Sequence, residues 1–249
     1  MPNASKAIKI FFVLAVLAVL VLVGKNVMVK RAAKKVTEVV LDKKQTGQAP
    51  VKTPVSRVVQ DGAIGYDLLN GWNLVAFPVA PKRFATASEL IKDVAVQGGY
   101  VTTVAYWDKD QWRELSWRAD QKFGHDFKIQ NDQAYFIRNH RRMLWSVEGD
   151  EMPLDGYKLE LDAGWNAIAI RTGGREMNAE NFLDRVNRGR EVATDINRWW
   201  YGVWDPFVKR IYSEDNIETY GEAYPIEENR GYFVRLKEPA TFQLTESER

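Results

Sequence analysis

The sequence predicts a mainly β protein with minor α. It comprises two duplicated β-sandwich-like modules, each with one short helix, behind an N-terminal transmembrane helix. Three observations lead there. Ile10 to Val23 is an apolar run without one polar side chain. Gly71–Phe77, GWNLVAF, returns as Gly164–Ile170, GWNAIAI. After each copy, short apolar stretches are punctuated by Gly, Asn and Asp, the pattern of strands and turns.

Composition bounds the rest. A chain of 249 residues suits one or two domains of roughly 100–150 residues each. Hydrophobic residues at 45% and charged residues at 27% are ordinary for a folded protein. A net charge of +2 gives no field that would steer the chain to nucleic acid. Aromatic content is the outlier, at 12% with nine Trp. Cysteine is absent, which removes disulfides, thiolate metal sites and Cys nucleophiles together. The two histidines, His125 and His140, are too few for a multi-histidine metal centre. No metal and no cofactor are expected.

Residues 1–41 read as a membrane anchor and helical stalk. The apolar run alone covers roughly 21 Å of a ~30 Å hydrocarbon core. Extension to Val29 closes the gap, because the Lys25 stem can reach the headgroups. A cleaved signal peptide is the rival, but Leu22 stands two positions before Gly24 where a small residue is wanted. Lys25, Lys30, Arg31, Lys34 and Lys35 follow the run and outnumber Lys6 and Lys9 before it. Flanking charge therefore favours a cytoplasmic body, whereas a short basic start before an apolar run has the form of an export signal. The expectation is an anchored protein whose soluble part is periplasmic or extracellular, against that flanking charge. Val36, Val39 and Val40 share a side of the stalk; a helix lying on the membrane surface is the alternative. Residues 42–63 are polar, carry Pro50 and Pro54, and read as a flexible linker.

The two modules are assigned to residues 64–150 and 151–249. Aligning Trp72 with Trp165 brings further segments into step. Leu90, Ile91 and Val94 match Phe182, Leu183 and Val186, a spacing that suits one face of a short helix. Thr86 or Ser88 caps the first helix and Asn178 the second, with Gly98 and Gly189 as stops. Trp107 is matched to Trp204, and Trp107-Asp108 and Trp204-Asp205 are expected to end a strand and enter a turn. FKIQNDQAYFIR matches YPIEENRGYFVR, aligning Tyr135 with Tyr232 and Phe136 with Phe233. MLWSVEG answers ATFQLTE at the same offset. The unit is roughly 85–95 residues long.

Each motif has a physical reading. Gly71 and Gly164 permit positive φ in a tight turn, and Asn73 and Asn166 are expected to close it. Trp72, Leu74 and Ala76 then point to one face, Val75 and Phe77 to the other, so both faces of the strand are covered. Tyr135 and Ile137 oppose Phe136 and Arg138 in the same way. Asp108–Asp110 lacks the further oxygen ligands of a calcium loop and reads as a hairpin tip. Arg171–Glu176, RTGGRE, could hold an anion but lacks the residues of a phosphate loop, so a turn is expected.

The combination of GWN-aliphatic, a Trp-bearing hairpin and a late Gly-Tyr-aromatic strand resembles a repeat of bacterial and archaeal cell-surface proteins. The resemblance covers residues 65–149 and 156–247, with Ala134 in the first copy where Gly231 stands in the second. It implies a fold and a surface location, with no catalytic residues to carry over. The segment after the apolar run also resembles the anchor starts of some bacterial periplasmic proteins.

Two functions are expected from different classes. The first is a membrane-anchored structural or interaction protein of the cell envelope, with another envelope protein as partner. The second is a glycan-binding module in which Trp112, Trp117, Trp199 and Trp200 stack on sugars. An enzyme is not expected: Asp150-Glu151, Glu227-Glu228 and Glu176 with Glu180 are acid pairs, but charge runs are usually solvated faces. Nucleic acid is not expected either, since RNHRR and NRGR are balanced by acidic residues elsewhere.

Overall fold

Both GWN segments start on a glycine-permitted turn. Gly71 has φ +105° and Gly164 φ +94°, a region that side-chain-bearing residues avoid. The asparagine two residues on closes the turn. Asn73 Oδ1 accepts from the Leu69 N–H at 2.8 Å, and its Nδ2 donates to Leu69 O and Gly71 O at 3.0 and 3.2 Å. Asn166 makes the same three bonds with Asp162 and Gly164, at 2.9, 2.8 and 3.3 Å.

The computed structural model describes residues 58–59, 63–118, 121–213 and 215–244. The apolar run, the stalk and most of the linker lie outside the described residues. Among those described, no helix is long and apolar enough to cross a membrane.

The N-terminal half comprises β1 (Val58–Val59), β2 (Ala63–Leu68), β3 (Gly71–Val75), β4 (Val79–Pro81), helix α1 (Ala87–Val96), β5 (Val101–Asp108), β6 (Gln111–Arg118), β7 (Gln121–Gly124), β8 (Tyr135–Asn139) and β9 (Met143–Glu151). The C-terminal half follows with β10 (Lys158–Leu161), β11 (Gly164–Ala169), helix α2 (Ala179–Asn187), β12 (Ala193–Trp200), β13 (Val203–Ser213), β14 (Asn216–Tyr220), β15 (Gly231–Leu236) and β16 (Ala240–Gln243). The fold is mainly β and sandwich-like, and its paired strands are antiparallel. One five-stranded sheet has the order β3-β8-β5-β6-β7, the other β11-β15-β12-β13-β14. Counted from the GWN strand, the two orders are the same. A smaller layer accompanies each: β1-β2-β9-β4 in the first half and β10-β16 in the second.

The helices form as their sequences suggest. Thr86 caps α1 in a reciprocal box with Glu89, and Asn178 caps α2 with Asn181. Ser88 instead bonds Asp126. Leu90, Ile91 and Val94 face one core, with Phe77, Tyr135, Ile137 and Trp145. Phe182, Leu183 and Val186 face another, with Ile170, Tyr232, Val234 and Phe242. Tyr135 and Tyr232 sit alike: each phenol oxygen accepts a backbone N–H from the preceding turn, Gln130 at 2.6 Å and Glu227 at 2.7 Å. Burial pushes both phenols above their ordinary pKa.

The opposite faces of the two five-stranded sheets meet in a third cluster. Leu74, Phe136, Ala167 and Phe233 form its centre, with Trp72, Trp107, Trp112, Trp165 and Trp199 packed against it. The GWN and Tyr-Phe strands are therefore covered on both sides, as their two apolar faces require.

Contacts across this layer come in reciprocal pairs. Trp107 Nε1 donates to Trp165 O at 2.9 Å, and Trp199 Nε1 donates to Trp72 O at 2.9 Å. The Ala76 N–H donates to Asn229 O at 3.1 Å, and the Ala169 N–H to Asp132 O at 2.9 Å. Val75 bridges Arg230, and Ile168 bridges Gln133. Each contact is the other with the halves exchanged, the arrangement of an isologous interface.

These contacts correct one sequence alignment. Trp204 is not the counterpart of Trp107. Trp107 pairs with Trp112 across its hairpin, and Trp199 pairs with Trp204 across the other. Trp199 therefore corresponds to Trp107, and Trp204 to Trp112. Trp204-Asp205 opens β13 after the Tyr201-Gly202 turn; it does not end a strand. The misleading equal spacing to the Tyr-Phe strand arises because the whole β13–β14 hairpin is longer than β6–β7, with β13 at 11 residues against 8 for β6 and β14 at 5 against 4 for β7.

Near the centre of the layer, a Cβ added to Gly231 would stand 2.5 Å from Ala134 Cβ and 2.8 Å from Leu74 Cγ. Gly231→Ala is therefore expected to destabilise the protein by about 1–3 kcal/mol in urea unfolding. The double variant Gly231→Ala/Ala134→Gly should lose less than the sum of the two single variants. Strictly additive losses would show that these residues do not oppose one another.

Candidate functional site

The four tryptophans expected to form a sugar platform are dispersed. Trp112 and Trp199 belong to the layer between the sheets. Trp112 lies 5.2 Å from Trp107 at 69°, and Trp199 lies 5.1 Å from Trp204 at 78°. Both pairs are edge-to-face, so neither presents a coplanar platform. Trp117 packs on the N-terminal core. Its Nε1 is buried and has no hydrogen-bond partner among the described residues. Trp200 is half-buried, with the Arg198 and Arg230 guanidiniums 4.5 and 4.3 Å from its ring centre.

The RTGG turn does hold an anion, and the anion is the protein's own. Glu228 Oε1 accepts from the N–H groups of Thr172 at 2.5 Å, Gly173 at 2.6 Å and Gly174 at 3.4 Å. The Thr172 hydroxyl adds a fourth bond at 2.8 Å. Gly173 and Gly174, at φ +67° and +73°, aim these N–H groups at one point. The acid pairs are used structurally: Asp150 meets Lys82 at 2.8 Å, and Glu227 meets Arg230 at 2.8 Å. Among the described residues, no group of three potential metal ligands comes together.

The two five-stranded sheets differ most in the β13–β14 hairpin. In the first half, pairing ends at Arg118 with Gln121. In the second it runs on past Arg210 with Glu218 to Ile211 with Ile217 and Ser213 with Asn216, with a bulge between. This extension overhangs the end of α2 and makes a groove of about 580 Å³. Asp184, Glu191, Lys209, Ile211, Tyr212 and Ile217 line it. Lys209 is only 6% exposed and reaches Asp184 at 2.7 Å and Glu180 at 3.1 Å. Burial alone would lower its pKa; the two carboxylates outweigh that and raise it. Glu191 accepts the Ile211 N–H at 2.6 Å and pairs with Lys237. Burial would raise its pKa, but these partners hold it below the usual carboxylate range.

The sheet edges complete the surface. The edges at β3 and β11 carry the Val75–Arg230 and Ile168–Gln133 bridges to the opposite half. The edges at β7 and β14 end their sheets, and every residue of both strands is exposed. Tyr212, Ile217 and Tyr220 rim the second, and Tyr220 is 71% exposed. Sequence patterning missed this site. The one available signal was the longer second copy, and the misplaced Trp204 alignment hid it. Compared with known protein families, curated proteins and solved structures, the chain matches none. What the arrangement offers chemically is binding: a strand edge whose backbone groups no strand among the described residues pairs, an apolar rim and an adjacent groove lined by Asp184, Glu191 and Lys209.

Glu191 ties the hairpin to the body of the half, and its lowered pKa makes that tie pH-dependent. A depressed carboxylate contributes stability that is full above its unfolded value and is lost as pH falls through the folded one. Glu191→Gln is therefore expected to cost about 1–2 kcal/mol at pH 7. The gap to the native chain should close as pH falls below about 4. Urea midpoints at both pH values check this; a gap of constant size would contradict it.

Proposed function

We propose that this protein is a membrane-anchored structural or interaction protein of the cell envelope, built from two copies of one β-rich module. The module resembles the GWN-type repeats of bacterial and archaeal cell-surface proteins. The free β14 edge carries the interaction reading, because a fully exposed strand with an apolar rim is a template for another chain. Equal strand order and reciprocal contacts support the duplication. The apolar run from Ile10 to Val23 supports the anchor, and the polar stretch after it suits a tether. A glycan-binding module is the second reading of the sequence, but Trp112, Trp117, Trp199 and Trp200 share no common face to support it.

Protease treatment of intact cells and of inverted membrane vesicles tests location. Digestion of residues 64–249 is expected from the outer side only, with the chain staying in the membrane after alkaline extraction. Digestion in inverted vesicles alone would overturn the envelope assignment.

A further inference from the structure

We propose that copies of this chain associate head to tail, with the β7 edge of one copy adding to the β14 edge of the next. Both are terminal strands of five-stranded sheets and are wholly exposed, so each presents backbone groups that no strand among the described residues pairs. The inner edges cannot serve, since β3 and β11 are bridged to the opposite half. The Trp199–Trp72 and Trp107–Trp165 bonds set β12 against β3 and β5 against β11. The free edges consequently lie on opposite flanks, as end-to-end growth needs.

The two edges are chemically complementary. Leu115 is buried in the core and Trp117 packs against it, which turns Ser116 and Arg118 to the sheet's other face, and Phe123 pairs with Ser116. On the second edge, Glu218 pairs with Arg210 and Tyr220 with Val208, on the face opposite Lys209. On corresponding faces the β7 edge carries Phe123, with Arg118 behind it on β6 and 6.0 Å from its ring, and the β14 edge carries Glu218 and Tyr220; Arg210, which takes the place of Arg118 on β13, is engaged by Asp195 at 3.5 Å. The charges differ around these residues as well. Lys122 belongs to the first edge, and its only ion pair among the described residues is with Asp126 at 3.9 Å. Asp215, Glu218 and Glu222 mark the second and form no ion pair among the described residues. Each edge repels its own kind: β14 on β14 sets carboxylates together, and β7 on β7 sets cations together. Aromatic rings are available on either edge, but only the mixed pairing also matches charge. A head-to-tail contact of this kind is heterologous and builds an open chain unless its rotation closes a ring.

This inference names a partner for the interaction role proposed above and rests on it. Its test is independent of membrane side. The chain has no cysteine of its own, so introduced thiols report cleanly. Full chains carrying Phe123→Cys, Tyr220→Cys or both are purified in mild detergent and treated with an oxidant. The double variant is expected to give a ladder of dimers, trimers and higher species on non-reducing gels. An equimolar mixture of the single variants should give dimers and stop there, while each single variant alone stays monomeric. Dimers from Tyr220→Cys alone would overturn the proposal by showing edge-to-like-edge contact, and no cross-link in any combination would also overturn it. As a second measurement, Arg118→Glu or Glu218→Arg should each weaken self-association roughly tenfold in sedimentation, and the two together should restore it. Failure of these tests leaves the membrane assignment to the protease experiment.

Discussion

The indole N–H of a hairpin tryptophan donating to the carbonyl of the opposite GWN strand is the contact on which the rest of the architecture depends. It occurs twice, from Trp107 to Trp165 and from Trp199 to Trp72, at 2.9 Å each time. Each bond fixes a large apolar ring in the shared layer and satisfies its one polar atom there. It also ties the first strand of one half to the hairpin of the other. Without this layer, the strands that carry Leu74, Phe136, Ala167 and Phe233 would expose an apolar face to water. The halves have outer cores of their own, but neither covers its inner face alone.

The same constraint divides the surface. Edges near the layer are consumed by reciprocal bridges, and edges far from it are left open. The N-terminal half leaves a short open edge, whereas the C-terminal half lengthens it, lifts it over α2 and secures it through Lys209 and Glu191. Divergence between the two five-stranded sheets is concentrated in this hairpin, away from the layer, where change does not disturb the shared packing. A free, aromatic-rimmed strand is a feature of association.

Much of the fold was legible because it is carried by residues with strong local meaning. The glycine-asparagine turns, the helix caps and the two-faced strands at Leu74–Val75 and Tyr135–Phe136 all follow from local pattern. What could not be read was how the halves meet. Trp107 and Trp199 look like any hairpin tryptophans in sequence, and their partners are backbone carbonyls, which leave no residue signature. The Trp107–Trp204 alignment failed for a related reason: a longer hairpin displaced the true counterpart and a neighbouring tryptophan took its place. Glu228 was equally hidden, since the turn it fills and the carboxylate itself are far apart in the chain. The exposed edge at β14 depends on the sheet order, which local patterning does not specify.

Separating the halves covalently tests the central contact most directly. A protease site inserted between Asp155 and Gly156, in the connection from β9 to β10, allows the folded chain to be cut without touching the layer. If the reciprocal aromatic contacts hold the body together, the two pieces will elute as one complex after cutting and unfold in a single transition. Two folded pieces that elute separately would contradict it.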